Sequence, residues 1–343
     1  MPQSLSKICL TAFYFGKFNN YFHLWLNSCR ANSSVDFMLF TDNNELYNYP
    51  DNVKKITLTF NDFRERCRSK YDFPISMNNP YHICDYVPAF GDIFANELAD
   101  YDFWGHCDID LVFGDIRKFI PETILQNYDK ISWRGHFSLY KNNLRVNQIY
   151  KSTHLSHEIY KTIFTNPTNS LFAFEENEIN PILEHEGLKI YKGLYFADLK
   201  TCTNNFEMMH FSESFQEKNK EQIFEYNNGK LFRHFNLKGE LRSEEMMYIH
   251  FLKRPMSLEN NPLDIDHFLI LPNYFAPFEE ITLSKVLIWA KKRFYFSYYL
   301  ERLNFKYYKK RKESILNIQL FNERYNHLNR AEYNVVIDNH FEV

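Results

Sequence analysis

Short apolar runs alternate with polar, turn-rich stretches along most of the chain, and their order predicts the architecture. Residues 7–15 (Lys-Ile-Cys-Leu-Thr-Ala-Phe-Tyr-Phe) read as a buried strand that ends at Gly16. Residues 21–30 place Phe22, Leu24, Trp25, Leu26 and Cys29 at helical spacing, and residues 35–41 form a second apolar strand closed by Asp42. A β–α–β beginning predicts an α/β fold with a parallel, Rossmann-like sheet, whose ligands lie beyond the carboxyl ends of the strands. Tyr14, Phe15, Gly16 and Asp42 would then share one ligand-facing edge. Residues 54–60 continue as a third strand, followed by a basic helix over 62–70.

Further along, Asp85 is placed to cap a helix that Pro88 enters in its first turn and that runs to Leu98. Its carboxylate could equally face a ligand. Asp115 caps a helix near residues 116–126, with a break at Pro121. A strand follows at 130–133, a turn and another strand over 134–142, and a strand at 188–197 that ends at Asp198. A hairpin over 222–235 turns at Asn228-Gly229, and a last core strand over 246–254 carries His250 and Lys253. Residues 152–180, holding His154, His157, Glu175, Glu176 and Glu178, read as an irregular excursion near the site rather than core.

The stretch that carries the chemistry is residues 101–115. Tyr101, Phe103 and Trp104 lead a buried strand into two carboxylates one residue apart, Asp108 and Asp110, followed by Leu111-Val112-Phe113. Two acids at the end of a buried strand call for a cation, since unpaired buried charge is strongly disfavoured. A hard divalent ion that bridges to a diphosphate meets that need. The bland alternative is a capped strand end with solvated acids. An EF-hand is excluded, because Val112 and Phe113 occupy a ligand position and the turn-glycine position. A zinc site at His106 and Cys107 lacks a second Cys/His pair at finger-like spacing.

Composition narrows the classes further. The 40 basic and 43 acidic residues leave a net charge of −3, which argues against a nucleic-acid partner for the whole chain. With 9 glycines, and neither G-x-G-x-x-G nor G-x-x-x-x-G-K-[ST], no glycine-rich phosphate loop is expected. The 34 Phe and 24 Tyr exceed ordinary usage, so some aromatics are expected to stack on sugars or bases. Cys9, Cys29, Cys67, Cys84, Cys107 and Cys202 are scattered through apolar patterns, as in reduced cytoplasmic proteins. No signal peptide is evident, and no run reaches the ~18 apolar residues of a spanning helix.

Texture changes at Pro277. Residues 284–312 carry ten Lys/Arg and one acid, Glu301, interleaved with aromatics. This pattern predicts a helical extension that contacts a membrane surface, at the inner face of the plasma membrane. A helix packed on the domain is the alternative; RNA binding lacks an accompanying recognition module.

The runs Cys84-Asp-Tyr-Val-Pro-Ala-Phe-Gly91, Trp104-Gly-His-Cys-Asp-Ile-Asp110, Phe113-Gly-Asp115, Gly135-His-Phe-Ser-Leu-Tyr-Lys-Asn142 and Tyr248-Ile-His-Phe-Leu-Lys-Arg254 resemble a family of bacterial glycosyltransferase-like proteins encoded among capsule and lipopolysaccharide genes. The resemblance spans about residues 7–275. It implies a GT-A (Rossmann-like) mixed sheet flanked by helices, a catalytic domain over 1–276, and a basic, aromatic extension over 277–343. It also implies Mn²⁺ or Mg²⁺ on a nucleotide-sugar, UDP-linked, with a growing glycan, free or lipid-linked, as acceptor.

By that likeness Asp108 and Asp110 hold the metal, with Asp108 also near the donor ribose and sugar, and His250 completes the shell. Lys253 sits on the diphosphate, and Phe13, Tyr14, Gly16 and Asp42 line the base and ribose pocket. His136 touches the donor sugar, and Glu175 or Glu176 supplies the catalytic carboxylate, where relatives carry Asp-Glu after an aromatic. Val87 and His82 stand where relatives carry basic residues, a departure that weakens the case for phosphate contacts from that helix. Rival readings are a metal-dependent phosphohydrolase or nucleotidyltransferase, and a non-catalytic glycan-assembly protein that kept the fold.

Overall fold

A computed structural model describes residues 5–153, 158–167, 171–193, 195–200, 205–208, 221–258 and 263–291. Its strands are β1 (Ile8–Phe13), β2 (Val35–Thr41), β3 (Val53–Thr57), β4 (Phe103–Cys107), β5 (Leu111–Phe113), β6 (Lys130–Arg134), β7 (Phe137–Lys141), β8 (Ile190–Tyr191), β9 (Phe196–Asp198), β10 (Gln222–Asn227), β11 (Lys230–Leu237), β12 (Glu240–Met246), β13 (Tyr248–His250), β14 (Ser257–Leu258), β15 (His267–Leu271) and β16 (Tyr274–Pro277). They build three sheets flanked by helices, a mixed α/β architecture.

The largest sheet runs β3-β2-β1-β4-β7-β6-β8. β1 pairs in parallel with both β2 and β4, and β2 with β3, so four carboxyl ends share one edge, as the opening pattern predicted. β7 then joins β4 antiparallel. Alternation along the strands divides the core. Ile8, Leu10, Phe37 and Leu39 face Phe22 and Trp25 of helix Phe22–Ala31, while Cys9, Met38, Phe40 and Trp104 face the short helices Ile83–Tyr86 and Phe90–Ile93. The sheet is tight at Gly105, where a Cβ would come 2.1 Å from the Ser138 carbonyl oxygen.

The second sheet, β12-β11-β10-β15-β16-β14, contains the anticipated hairpin. Asn228 (φ 48°) and Gly229 (φ 82°) both occupy the left-handed region that a tight two-residue turn demands. Helix Leu283–Trp289 packs Val286 against Ile223, Leu269 and Leu271, so the extension begins by covering this sheet. The rest of the basic stretch, from residue 292, lies outside the described residues, as do His154, His157 and Cys202. No described helix is long and apolar enough to cross a membrane.

The smallest sheet positions the site. β13 lies between β5 and β9, antiparallel to the first and parallel to the second, with His250 paired to Leu111 on one side and Asp198 on the other. Residues far apart in sequence are thereby fixed side by side.

Four readings of the pattern need correction. The run 188–197 is two strands in different sheets, β8 and β9, because it leaves the large sheet after Tyr191. The run 246–254 is strand only through His250; Leu252 (φ 47°) and Lys253 (φ 56°) then turn through left-handed backbone. Asp85 lies within helix Ile83–Tyr86, not at its cap. Finally, the described parts of 152–180 include core: Tyr160, Ile163, Phe164, Phe174 and Ile179 are buried with Tyr86 and Phe90.

Lys130, at the start of β6, is fully buried; its Nζ donates to the Ser132 carbonyl (2.9 Å) and to Asn180 Oδ1 (2.8 Å). Burial pushes its ammonium down to about 7, against the opposing pull of Glu176 and Glu175. The folded chain therefore releases this proton earlier than the unfolded chain, and its cost to stability shrinks as pH rises from about 7 towards the ordinary lysine value of about 10.4. Lys130→Met is expected to remove that dependence. The difference in unfolding free energy, wild type minus variant, should rise between pH 7 and 9 in urea titrations, by at most about 1.4 kcal/mol per pH unit. A difference that stays level would contradict the assignment.

A candidate metal centre at the strand ends

Asp108 follows β4, and its backbone N–H donates to the His136 carbonyl (3.0 Å), which extends the β4–β7 pairing by one step. Its side chain is 42% exposed, whereas that of Asp110, just before β5, is 13% exposed. One acid thus faces outward and the other inward. Asp110 is held by the turn after His250: the Phe251 N–H donates to its carbonyl (3.1 Å) and the Lys253 N–H to Oδ2 (2.7 Å). The left-handed backbone at Leu252 and Lys253 makes the second bond reachable.

His250 closes the cluster. Its Nε2 lies 3.7 Å from Asp108 Oδ2 and 3.6 Å from Asp110 Oδ1, beyond hydrogen-bond range. Two ligands of one Mg²⁺-sized ion, each at about 2.1 Å, can stand no more than about 4.2 Å apart, and both separations satisfy this limit. Two oxygens and one imidazole nitrogen suit Mn²⁺ or Mg²⁺ with open positions left for further oxygen ligands. The residues present therefore fit such an ion. Electrostatics point the same way. Burial pushes the Asp110 carboxyl up, against the pull of His250, while burial of His250 is outweighed by Asp110, Asp198 and Asp108, which hold its imidazole up at about 9. This cluster favours positive charge.

Behind the imidazole, Nδ1 donates to Asp198 Oδ1 (2.8 Å) and the His136 ring stacks at 4.3 Å between centroids. His136 itself bonds the Tyr248 hydroxyl (3.0 Å) and is buried. Burial alone would raise Asp198, but His136, His250 and Arg134 hold its carboxyl well below the usual range. Arg134 links this group to the acid turn, lying 3.6 Å from Asp198 Oδ2 and 3.3 Å from Glu176 Oε2.

The acid turn, Phe174–Glu178, is one wide helical turn entered through Ala173 in left-handed backbone (φ 49°). Asp85 anchors it: the Phe172 and Phe174 N–H groups donate to its carboxylate at 3.1 and 3.2 Å. Asp85 is thus committed to backbone rather than to a ligand, and burial lifts its carboxyl to about 7. Glu176 accepts from the Gly135 N–H (2.6 Å). Glu175 is buried, its Oε2 has no hydrogen-bond partner, and its chain fills the space a Cβ at Gly135 would need. Burial, then Asp85 and Glu176, push the Glu175 carboxyl well above the usual range.

The remaining expected residues divide. Gly16 and Asp42 meet at the parallel edge, the Gly16 N–H donating to Asp42 Oδ1 (2.7 Å), and Tyr14 is half-buried beside them with Asp110 acting on its hydroxyl. Phe13 instead packs among Phe40, Phe63, Phe90 and Phe94, its ring stacked on Phe40 at 4.5 Å, as part of the aromatic core. Lys253 is exposed beside Asp110, with its Nζ against the Tyr81 ring and hydroxyl. Three residues near the cluster went unassigned from sequence: Asp198, Arg134, and His106, whose Nε2 lies 3.4 Å from Asp108. An acid ending a strand-like run was the one local signal for Asp198.

The unlike surroundings of the two acids give them different mutational signatures. Asp108→Ala is expected to abolish Mn²⁺ binding while leaving the melting temperature in EDTA unchanged. Asp110→Ala should abolish binding and also lower stability by about 1–3 kcal/mol, because the Lys253 N–H loses its acceptor. Calorimetric Mn²⁺ titration and thermal melts measure both; equal stability losses would contradict the division.

No curated protein matches the chain. The profile of a family of unknown function, DUF6625, matches residues 10–279, and the chain belongs to that family.

Proposed function

We propose that this protein is a metal-dependent glycosyltransferase that moves a sugar from a nucleotide-sugar, UDP-linked, to a hydroxyl of a growing surface glycan. The observation that carries the reading is the meeting of Asp108, Asp110 and His250 at the carboxyl-end edge of the large sheet, where nucleotides bind in open α/β folds. Asp108, Asp110 and His250 would hold Mn²⁺ or Mg²⁺, which when bound supplies positive charge to the diphosphate. Gly16, Asp42 and Tyr14 stand beside it on the same edge, in reach of a base and ribose. Lys253 adds a cation at the exposed side, where charge develops on a departing diphosphate.

The acid turn bears on stereochemistry. An inverting transferase needs an ionised carboxylate to take the acceptor proton. Glu176 is tied to Gly135 and Arg134, and Glu175 is buried behind Gly135, where burial and the neighbouring Asp85 push its carboxyl well above the usual range. Neither stands as an exposed, unengaged carboxylate, which favours retention, with the acceptor proton passing to the leaving diphosphate. Glu175 then serves as a hydrogen-bonding wall of the sugar site, against Gly135-His136.

A two-metal phosphohydrolase is the rival chemistry, and it needs a second ion. Among the described residues the other ligand-like group, His136, Asp198 and His250, shares His250 with the first, and Arg134 already lies against its carboxylate. That arrangement disfavours a second cation.

A thermal-shift panel of UDP-sugars, GDP-sugars and free nucleotides, with and without Mn²⁺, tests the reading. A UDP-sugar should raise the melting temperature only when Mn²⁺ is present, because a ligand at a hundredfold excess over Kd adds about 2.7 kcal/mol to the folded state. Absence of any Mn²⁺-dependent shift across the panel would overturn it.

A further inference from the structure

We infer that Asp198 is a positioning residue that sets the metal-binding atom of His250, and that it does so as the middle member of a charge chain running from the acid pair to the acid turn. The inference rests on the metal reading of Asp108, Asp110 and His250 and deepens it.

Geometry carries the argument. An imidazole offers a metal one nitrogen, and the hydrogen bond made by the other decides which. Here Nδ1 donates to a carboxylate 2.8 Å away on the neighbouring parallel strand, so Nε2 is the nitrogen left facing Asp108 and Asp110. Asp198 is 2% exposed, and His250 is 3% exposed, so neither exchanges this bond for water at low cost. The ring has little room to turn. His136 stacks on it at 4.3 Å, and the Tyr248 hydroxyl in turn fixes His136. A carboxylate in this place also makes the imidazole a stronger donor to a metal, since negative charge behind the ring raises its basicity.

A buried carboxylate must itself be compensated. Arg134 does this from β6, 3.6 Å from Asp198 Oδ2, and it also lies 3.3 Å from Glu176 Oε2. Acid and base alternate from Asp110 through His250, Asp198 and Arg134 to Glu176, which accepts the Gly135 N–H beside His136. The metal pair and the acid turn are therefore held in one register. Removing the central carboxylate would leave Glu176 as the acid partner of Arg134 among the described residues and leave Nδ1 of His250 without its acceptor.

The test is Mn²⁺ affinity, read from free Mn²⁺ by electron paramagnetic resonance, in wild type, Asp198→Asn and Asp198→Ala, with melting temperatures recorded in EDTA. Loss of such an outer carboxylate typically weakens metal binding by about 10–100-fold. Asp198→Ala is expected in that range. Asp198→Asn keeps an oxygen on Nδ1 but lacks the charge, and is expected between the two. An alanine variant that binds Mn²⁺ like wild type would overturn the inference, as would an asparagine variant as weak as alanine, since orientation would then have no part. Should the alanine variant fail to fold, Asp198→Ser, whose hydroxyl is too short to reach Nδ1, takes its place, and a serine variant that binds Mn²⁺ like wild type would overturn it equally. Wild type that binds no Mn²⁺ would instead remove the metal reading on which all of this rests.

Discussion

One buried imidazole ties this structure together. His250 is held between a carboxylate behind it and two in front, and these come from two separate segments: Asp198 from β9, Asp108 and Asp110 from the link between β4 and β5. Backbone pairing brings them together, since β13 is hydrogen-bonded to β5 on one side and β9 on the other. The expense of burying so much negative charge in one place is offset by Arg134, by His136 and by the Lys253 N–H on Asp110. An arrangement with this much like charge is costly to keep for stability alone, which is why it points to a cation and to chemistry.

Some of the backbone strain lies near the same place. Ala173, Leu252 and Lys253 sit in left-handed backbone without being glycine, the first entering the acid turn and the other two forming the turn after His250. Such residues persist only where surrounding contacts over-determine them. Here the contacts are Asp85 for the first turn and Asp110 for the second. The Asp85 carboxylate accepts two backbone N–H groups and that of Asp110 one, so carboxylates shape the loops as well as the site.

Much of this was legible in the chain. The β–α–β opening, the hairpin at Asn228-Gly229, the cap at Asp115 and the meeting of Asp108 and Asp110 with His250 all follow from apolar periodicity, turn chemistry and motif likeness. What was illegible is instructive. Asp85 looked like a helix cap because Pro88 follows it, yet its partners are Phe172 and Phe174, and no local pattern encodes a bond across that span. The run 188–197 read as one strand because apolar spacing does not say which sheet a strand joins. Residues 159–164 and 174–179 looked polar and irregular, but each contributes only a few large side chains to the core, too few for a periodic signal. Asp198 and Arg134 were missed for the same reason: their function lies in whom they meet.

The proposed cation centre is tested most directly by pulsed electron paramagnetic resonance on the intact protein loaded with Mn²⁺. One Mn²⁺ per chain, with a nitrogen coupling from a directly bound imidazole that vanishes in His250→Gln, is the expected result. Stoichiometric Mn²⁺ with no nitrogen coupling, or a coupling that survives in the variant, would contradict a centre built on residue 250.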